Sequence, residues 1–570
     1  MKKLVLITGL FIFLTGMTSC NEEEILREKP LDFFSSDNSF ETMSDFQRAL
    51  TDLYAKVRDI CYGDTEFKPY LTATDIAQDG RFELTNRFGG HTNYLVPTNS
   101  VVQGHWNKWY KIVTNANTII TRVNNSSLTD SEKDLITVEA KFFRAFAYRF
   151  LVYLFGGVPL ITEEITSPRT DFKKATKEEV LNQIVADALD AANGLPGISE
   201  VPDGKVSNLV AQQLLSETYI SLGRYNDAVT AASVVINDPN TSLMTERFGS
   251  MANENPYDPL LKFTQPGDVY WDLFRRFNQN RSSGNRETLW LIKYSADVPG
   301  GGQASAGGYG IATGCLERVA GPVGWMLLLD PDGNEGATGN PQSDYNSGGA
   351  GVSLMRNTDF YLYTLWEDDW DNDIRNAPHN IVRDHIYDNP NSAYYGLSAV
   401  EYPSPTVISQ PWRWYPYPSK ITTPWQHPDQ LFVDKEKNYL TNQAGALYRD
   451  RYMMRLAETY LLRAEAYLGM NNTESAANDI NVVRARSKAK PVAPENVTLD
   501  YILDERAREL VYEEHRRITL HRTGKLVERV RKYNDLNRDE IKDYHGLWPI
   551  PYADIEANKD AVLEQNPGYN

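Results

Sequence analysis

The chain has 570 residues and a formal net charge of −18 at pH 7, because 76 acidic side chains outnumber 58 basic ones. A protein that neutralises phosphates needs clustered Lys and Arg, and no long basic run occurs, so the composition argues against nucleic-acid binding. The three cysteines have no CxxC or Cys/His spacing, which argues against a structural zinc or iron–sulfur site. No Pro/Ser/Gly-rich linker divides the chain, so we expect one large body with subdomains.

The first residues have the pattern of a secretory signal. Lys2 and Lys3 give a positive start, residues 4–14 are apolar, and residues 15–20 end in Cys20. The apolar run is too short to span a bilayer, so a membrane anchor would have to come from lipid. A signal that ends in cysteine resembles that of a bacterial lipoprotein, which implies removal of residues 1–19 and lipidation of Cys20.

Residues 20–40 would then tether the folded part of the protein to the lipid. The acidic run at residues 22–24 resembles the export signal of lipoproteins on the outer face of the outer membrane. A flexible acidic tether on a periplasmic lipoprotein is the alternative, and both interpretations stay open at this point.

Apolar residues at three- and four-residue spacing predict one helix after another outside the middle of the chain. The predicted helices cover residues 41–60, 106–124, 131–155, 176–192, 207–236, 452–485 with one break, and 498–522. Thr176 and Glu179 have the spacing of a capping box, which satisfies the first free amides of a helix. Residues 211–239 follow the tetratricopeptide pattern, in which small Gly223 lets two antiparallel helices approach closely and Pro239 ends the second.

Between residues 249 and 443 the helical periodicity gives way to Gly- and Pro-rich sequence. A compact domain rarely carries so much irregular chain without a functional reason, so we expect the ligand-binding part here. The sequence therefore predicts a helical region at 41–248, a loop-rich excursion at 249–443 and a second helical region at 444–570.

Several motifs resemble the signatures of the SusD/RagB family. They occupy residues 106–112, 115–117, 139–145, 154–160, 455–458, 463–466, 481–486, 505–506, 509–510, 522–524, 548–551 and 565–569. After the Glu-Leu segment at residues 509–510, many family members have a Gly that is followed shortly by an Arg-aromatic pair. Residues 514–518 occupy this stretch here and depart from that pattern. Because the resemblance runs from Cys20 to the last residues, it is far more specific than one tetratricopeptide-like hairpin.

The resemblance implies a mainly α-helical SusD-like fold, in which tetratricopeptide-like hairpins form a scaffold and a loop-rich excursion carries short strands. It also implies a surface lipoprotein that captures glycan and passes it to a SusC-like TonB-dependent outer-membrane transporter, without catalysis and without a cofactor. The alternatives are a peptide-binding member of the same family, a glycan-degrading enzyme, and a structural adhesin.

Aromatic residues make up 11% of the chain, and many lie in the Gly/Pro-rich segments. A pyranose presents C–H groups on its faces and hydroxyls at its rim, so an aromatic ring flanked by planar polar groups suits it. The candidate ligand-binding residues are Arg81, Phe82 and Tyr94 between the first helices, and Trp325, Tyr361, Trp366 and Trp370 in the excursion. Trp412 and Trp414 form a further cluster. The aromatic residues of each cluster could equally pack a loop against the helical body and have no contact with a ligand.

The acidic cluster at residues 367–373 invites a catalytic or calcium-binding interpretation. Asp369, Asp371 and Asp373 fill alternate positions of an EF-hand loop, but Ile374 replaces its turn glycine and the bidentate glutamate is missing. The stretch that begins at Asp373 also resembles an Asp-x-Arg segment common in SusD-like chains, where it is not catalytic. We therefore predict no metal site and no catalytic residue.

The remaining charged residues and cysteines have structural interpretations. Three- and four-residue separations predict ion pairs along one helix for Glu505, Arg506, Arg508, Glu509, Glu513 and Arg516. His515 and His521 lie six positions apart, which is too far for a metal pair on one helical face. Cys61 and Cys315 could form a disulfide, although two separately buried thiols are the preferred interpretation.

Overall fold

The computed structural model describes residues 40–63, 67–81, 91–253, 257–258, 263–264, 267–295, 298, 301, 316–337, 351–422, 426–436, 439–440 and 449–569. Some predictions lie outside these residues and stay predictions: the signal, the tether with Cys20, the ligand contact of Phe82, and Cys315. The backbone of Trp325 is described, but its side chain is not.

The protein is mainly α-helical, as predicted. In chain order the helices are α1 Met43–Tyr62, α2 His91–Tyr94, α3 Ser100–Asn124, α4 Asp130–Phe155, α5 Lys177–Gly194, α6 Asn208–Ser221, α7 Tyr225–Ile236, α8 Val269–Leu273, α9 Leu316–Ala320, α10 Gly324–Leu327, α11 Asp359–Leu362, α12 Pro405–Ser409, α13 Leu456–Gly469, α14 Thr473–Arg486, α15 Leu499–Leu510, α16 Arg516–Arg522, α17 Leu526–Tyr533 and α18 Tyr552–Ala557. Each range predicted to be helical contains helix, so the helical scaffold is confirmed.

Capping chemistry sets the beginnings of α1, α4 and α5. In α5 the amide of Glu179 donates to Thr176 Oγ1 at 3.2 Å, and the amide of Thr176 donates to Glu179 Oε2 at 2.7 Å. This is the predicted capping box, and Thr42 and Thr129 begin α1 and α4 in the same way. The turn between α6 and α7 lies at Gly223, whose φ of +71° is the left-handed conformation that favours glycine.

The strands are short and form two-stranded antiparallel sheets within the described residues. They are β1 Ala77–Asp79, β2 Tyr257–Asp258, β3 Phe263–Thr264, β4 Thr288–Ile292, β5 Met355–Asn357, β6 Ile381–Val382, β7 Tyr417–Pro418, β8 Phe432–Asp434, β9 Tyr439–Leu440 and β10 Arg451–Arg455. The pairs are β1 with β5, β4 with β10, β2 with β3, β6 with β7, and β8 with β9. The helix predicted to start at residue 452 therefore begins at Leu456, because β10 precedes it.

The helices from α3 to α7 pack against one another in sequence order, and α7 packs against α13 of the C-terminal region. The largest apolar core runs through these contacts. It contains Phe46 near the N-terminus, Trp290 of β4 and Tyr569 near the C-terminus. The excursion is therefore attached to the helical scaffold through β4, whose five residues are all buried.

Buried ion pairs connect the excursion with the C-terminal helices. Glu509 is completely buried and accepts from Arg375 at 3.0 Å and from Arg455 at 2.7 Å. Glu505 accepts from Arg375 at 2.8 Å, and Arg508 pairs with it along α15 at 2.9 Å. The prediction of pairs along one helix was thus mostly wrong. Because Glu505 and Glu509 point into the core, their partners come from elements that are distant in sequence.

Two further observations concern Cys61 and the lengths of the helices. Cys61 is a buried free thiol. Among the helices of the described residues, we find none with the length and the apolar character needed to cross a bilayer.

Candidate ligand-binding surface

Two of the predicted ligand-binding residues lie inside the protein. Tyr361 is 2% exposed and Trp366 is 1% exposed, and both belong to a buried apolar cluster that includes Met355 and Ile381. Trp366 Nε1 donates to the carbonyl oxygen of Tyr361 at 2.6 Å. Because their rings pack against other apolar side chains, they have no face for a ligand, and the prediction is corrected for these two residues.

Trp370 lies four positions after Trp366 and has the opposite environment, since it is 42% exposed. Tyr363 is 39% exposed nearby. The guanidinium of Arg383 lies over both rings, at 4.5 Å from the centroid of Trp370 and 5.7 Å from that of Tyr363. We call these three side chains the stacking surface.

Arg383 is held in place by main-chain oxygen atoms. Its Nε and Nη2 donate to the carbonyl oxygen of Leu362 at 3.0 and 2.6 Å, and its Nη1 donates to that of Asn376 at 3.3 Å. Burial lowers the pKa of Arg383 to about 10, so the guanidinium still carries its charge at neutral pH. The cation therefore has a fixed position beside the exposed rings.

The segment that carries Trp370 is anchored to α14 and to the residues that follow this helix. The carbonyl oxygen of Trp370 accepts from Asn376 Nδ2 at 2.8 Å. Asp369 is 6% exposed and accepts from the amide of Lys490 at 2.5 Å and from Arg484 of α14 at 3.4 Å. Because these bonds hold Asp369 and the backbone of Trp370 itself, the backbone that carries the ring is fixed before any ligand binds.

Exposed polar residues flank Trp370 in sequence on both sides. Glu367, Asp368, Asp371 and Asn372 are exposed beside Trp370. Their oxygen atoms can accept hydrogen bonds from hydroxyl groups, while the rings offer apolar faces. The arrangement therefore suits a ligand with C–H faces and a hydroxyl-rich rim.

The other predicted residues lie in different surroundings. The guanidinium of Arg81 lies 5.7 Å from the ring of Trp412, which is only 8% exposed. Tyr94 is partly buried against the main core and lines a cavity of about 10 Å³ with Arg517. The backbone of Trp325 lies in α10, where the preceding residue, Gly324, lies against the ring of Trp414. The structure thus brings Trp370 together with residues that the sequence analysis did not select.

Tyr363 and Arg383 are those residues. Tyr363 lies between the candidates Tyr361 and Trp366 but was not selected, because spacing alone does not tell exposed from buried rings in irregular chain. Arg383 is thirteen positions after Trp370, and no local pattern connects the two residues. Within the described residues, no three His, Cys, Asp or Glu side chains converge in a way that could hold a metal ion.

Comparison with protein-family models decides the family. A model described as starch-binding and associating with the outer membrane matches residues 31–220, and the model of the SusD family matches residues 330–569. The chain belongs to the SusD family. The family is one of carbohydrate-binding proteins that associate with the outer membrane.

Curated members of the SusD family match this chain over different lengths. SusD-like protein P2 of Formosa agariphila is 25% identical over 587 residues, covering 99% of each chain. The starch-binding protein SusD of Bacteroides thetaiotaomicron is 34% identical over 152 residues, or 25% of this chain and 26% of that protein.

Solved structures agree on the SusD-like fold. The surface glycan-binding protein A of Bacteroides thetaiotaomicron, in complex with laminarihexaose, has a TM-score of 0.63 at 18% identity. The match covers 92% of this chain and 99% of that chain. At this level of identity the similarity establishes the fold.

Proposed function

We propose that this SusD-like chain is a surface glycan-binding lipoprotein that captures oligosaccharide and passes it to a SusC-like TonB-dependent transporter. The stacking surface would hold the ligand. The observation that carries this proposal is the pair of exposed rings, Tyr363 and Trp370, on which the guanidinium of Arg383 is fixed. Sugar rings stack on such faces, and the neighbouring donors and acceptors orient their hydroxyls.

The role requires an anchor and no chemical step. Lipidation of Cys20 would hold the protein at the outer membrane, with the folded part facing outward. No bond needs to be made or broken, and the buried carboxylates near the site are already engaged. Asp373 pairs with Arg375 at 2.7 Å, and Asp369 accepts from Lys490 and Arg484. These contacts argue against Asp369 and Asp373 as general acids, because a general acid needs a carboxyl group that is free to reach the substrate.

The relatives suggest which glycans to test first. One curated relative is a starch-binding protein, and one structural neighbour holds laminarihexaose. A peptide-binding role within the family is the second candidate, because exposed aromatic side chains also accept apolar peptide side chains.

The deciding experiment is a binding screen with the mature chain. Starch, laminarin, mucin O-glycans, host N-glycans, hemicelluloses and peptides are offered to the wild type, to Trp370→Ala and to Tyr552→Ala. We expect one glycan class to bind and Trp370→Ala to weaken it by up to about tenfold, since one stacked ring contributes about 0.5–1.5 kcal/mol. Tyr552 is 48% exposed on α18 and serves as the matched control, which should bind normally.

Two outcomes would contradict the proposal. Binding of peptides and of no glycan would favour the second candidate. Equal glycan affinities of the wild type and Trp370→Ala would mean that the stacking surface is not the binding site.

A further inference from the structure

A second exposed aromatic surface lies in the same excursion. Tyr387, Tyr394 and Tyr402 form a row, with ring centroids 6.1 and 6.0 Å apart. Tyr402 is 43% exposed, and the adjacent Tyr395 is 39% exposed. Leu397 and Val400 are exposed between them. Contiguous exposed apolar side chains of this kind mark binding surfaces, whereas single ones do not. We call Tyr394, Tyr395 and Tyr402 the tyrosine surface.

The tyrosine surface has a fixed shape before any ligand binds. Tyr387 is completely buried, and its hydroxyl donates to the carbonyl oxygen of Tyr402 at 2.7 Å. Ser392 Oγ accepts from the amide of Tyr394 at 3.1 Å and donates to the buried Asp330 at 2.6 Å. These bonds place the tyrosine backbone, so little ordering entropy remains to oppose binding.

Backbone contacts between residues 384–386 and residues 398–400 bring the tyrosine surface close to the stacking surface. Ile386 and Ser398 form an antiparallel bridge, and Asp384 Oδ1 accepts from the amide of Val400 at 3.1 Å. Asp384 directly follows Arg383, and Val400 lies two positions before Tyr402. At about 3.8 Å between consecutive Cα atoms, the backbones of Arg383 and Tyr402 lie less than about 20 Å apart.

Beside both surfaces, exposed carboxylates outnumber the cations, which are Arg383 of the stacking surface and Lys490, whose Nζ donates to the carbonyl oxygen of Asp368 at 2.8 Å. Glu367, Asp368 and Asp371 lie beside Trp370, and Asp332 and Glu401 lie near the tyrosines. The hydroxyl of Tyr394 contacts Asp332 Oδ1 at 3.4 Å. Carboxylates accept hydrogen bonds from sugar hydroxyls but repel the carboxylates and sulfates of acidic glycans.

From these contacts we infer that the ligand is a neutral linear oligosaccharide that occupies the stacking surface and the tyrosine surface together. The inference rests on the proposed function, and it adds the charge and the length of the ligand. A chain that reaches both surfaces makes the second contact at a high effective concentration, so affinity rises with chain length until both are filled.

Calorimetric titration of the mature chain with oligosaccharides of increasing length tests the inference. The probes are oligosaccharides of β-1,3-glucan, α-1,4-glucan, xylan and mannan, with oligogalacturonides as the acidic comparison. In the series that binds, we expect the wild type to gain roughly tenfold or more in affinity between short and long members. Tyr402→Ala and Tyr395→Ala should lose this gain while binding the short members like the wild type. Both side chains are well exposed, so neither substitution should disturb the fold; Tyr552→Ala is the matched control.

The outcomes separate this inference from the proposed function. If Trp370→Ala weakens every member but the tyrosine variants keep the gain with length, the inference is wrong and the proposed function stands. If Trp370→Ala changes no member, the proposed binding site is wrong as well. Preferred binding of oligogalacturonides, or binding of none of the neutral series, contradicts the neutral linear ligand.

Discussion

The guanidinium of Arg383 donates to the carbonyl oxygens of Leu362 and Asn376. Because its donors form a rigid, planar set, these bonds fix the position of the side chain. It therefore does not have to be ordered when a ligand arrives. The exposed rings of Tyr363 and Trp370 benefit from the same restraint, since each packs against a side chain that cannot move far. At the scale of single residues, the candidate site is built from a partly buried polar contact that supports an exposed apolar one.

Trp366 and Trp370 should respond differently to the same substitution. Trp366→Ala removes a fully buried ring and should lower the free energy of unfolding by about 3–5 kcal/mol. Trp370→Ala should lower it by less than about 1 kcal/mol, because the ring is largely in water. Guanidinium unfolding followed by circular dichroism measures both. Equal losses would mean that Trp370 is a packing residue.

At the scale of elements, the sequence predicted those features that interactions between nearby residues determine. The helices follow from apolar spacing, and the beginning of α5 follows from the hydroxyl of Thr176 and the carboxylate of Glu179, three positions apart. The pairing of β4 with β10 was not predictable, because Leu291 and Tyr452 are partners across more than 150 positions. Such pairing depends on tertiary packing, which leaves no regular spacing of residues in the sequence from which it could be predicted.

The candidate site was predicted only in part for the same reason. The excursion and Trp370 follow from composition and from the chemistry of sugars. Arg383 became part of the site only because the chain returns to Trp370 after passing through β6. Tyr361 and Trp366 were selected wrongly, because a ring in irregular chain can face either the core or the solvent and its neighbours in sequence do not decide which.

The buried ion pairs around α15 should contribute strongly to stability. Glu509→Gln leaves Arg375, Arg455 and Arg486 without full compensation in the core, so we expect a loss of about 3–5 kcal/mol. The matched control is Glu528→Gln, which removes an exposed partner of Lys525 and should cost less than about 1 kcal/mol. Denaturant unfolding of both variants checks this, and a small loss for Glu509→Gln would contradict it.

At the scale of the whole molecule, the core contains histidines that remain uncharged. His515 lies between the rings of Tyr62, Tyr70 and Phe150, and burial lowers its pKa to about 3. Burial also lowers the pKa of His105 and His521 to about 3. An unfolded chain protonates histidine near pH 6.5, so between about pH 6.5 and 3 it binds more protons than the folded protein.

Stability should therefore fall as the pH drops below about 6.5, well before the buried carboxylates titrate. Glu505 and Asp75 have pKa values held at about 2 by arginine, so their contribution is lost only below about pH 4. His515→Phe keeps an aromatic ring and should reduce the pH slope by up to about 1.4 kcal/mol per pH unit. Urea unfolding of this variant and the wild type between pH 8 and 4 tests this. Parallel curves would show that His515 does not contribute.

The N-terminal region forms part of its contacts with residues near the end of the chain. Asn566 Nδ2 donates to the carbonyl oxygen of Phe155 at 2.8 Å across 411 positions, and Arg516 pairs with Asp75 at 2.7 Å across 441. During synthesis the first helices therefore emerge long before the segments that close their core. Native packing has to wait for almost the whole chain, so its contact order is high and folding should be slow. Until then the parts of α3 and α4 that pack against Trp548, near His105 and Phe155, stay open to other chains, and a factor that shields them would raise the yield of folded protein.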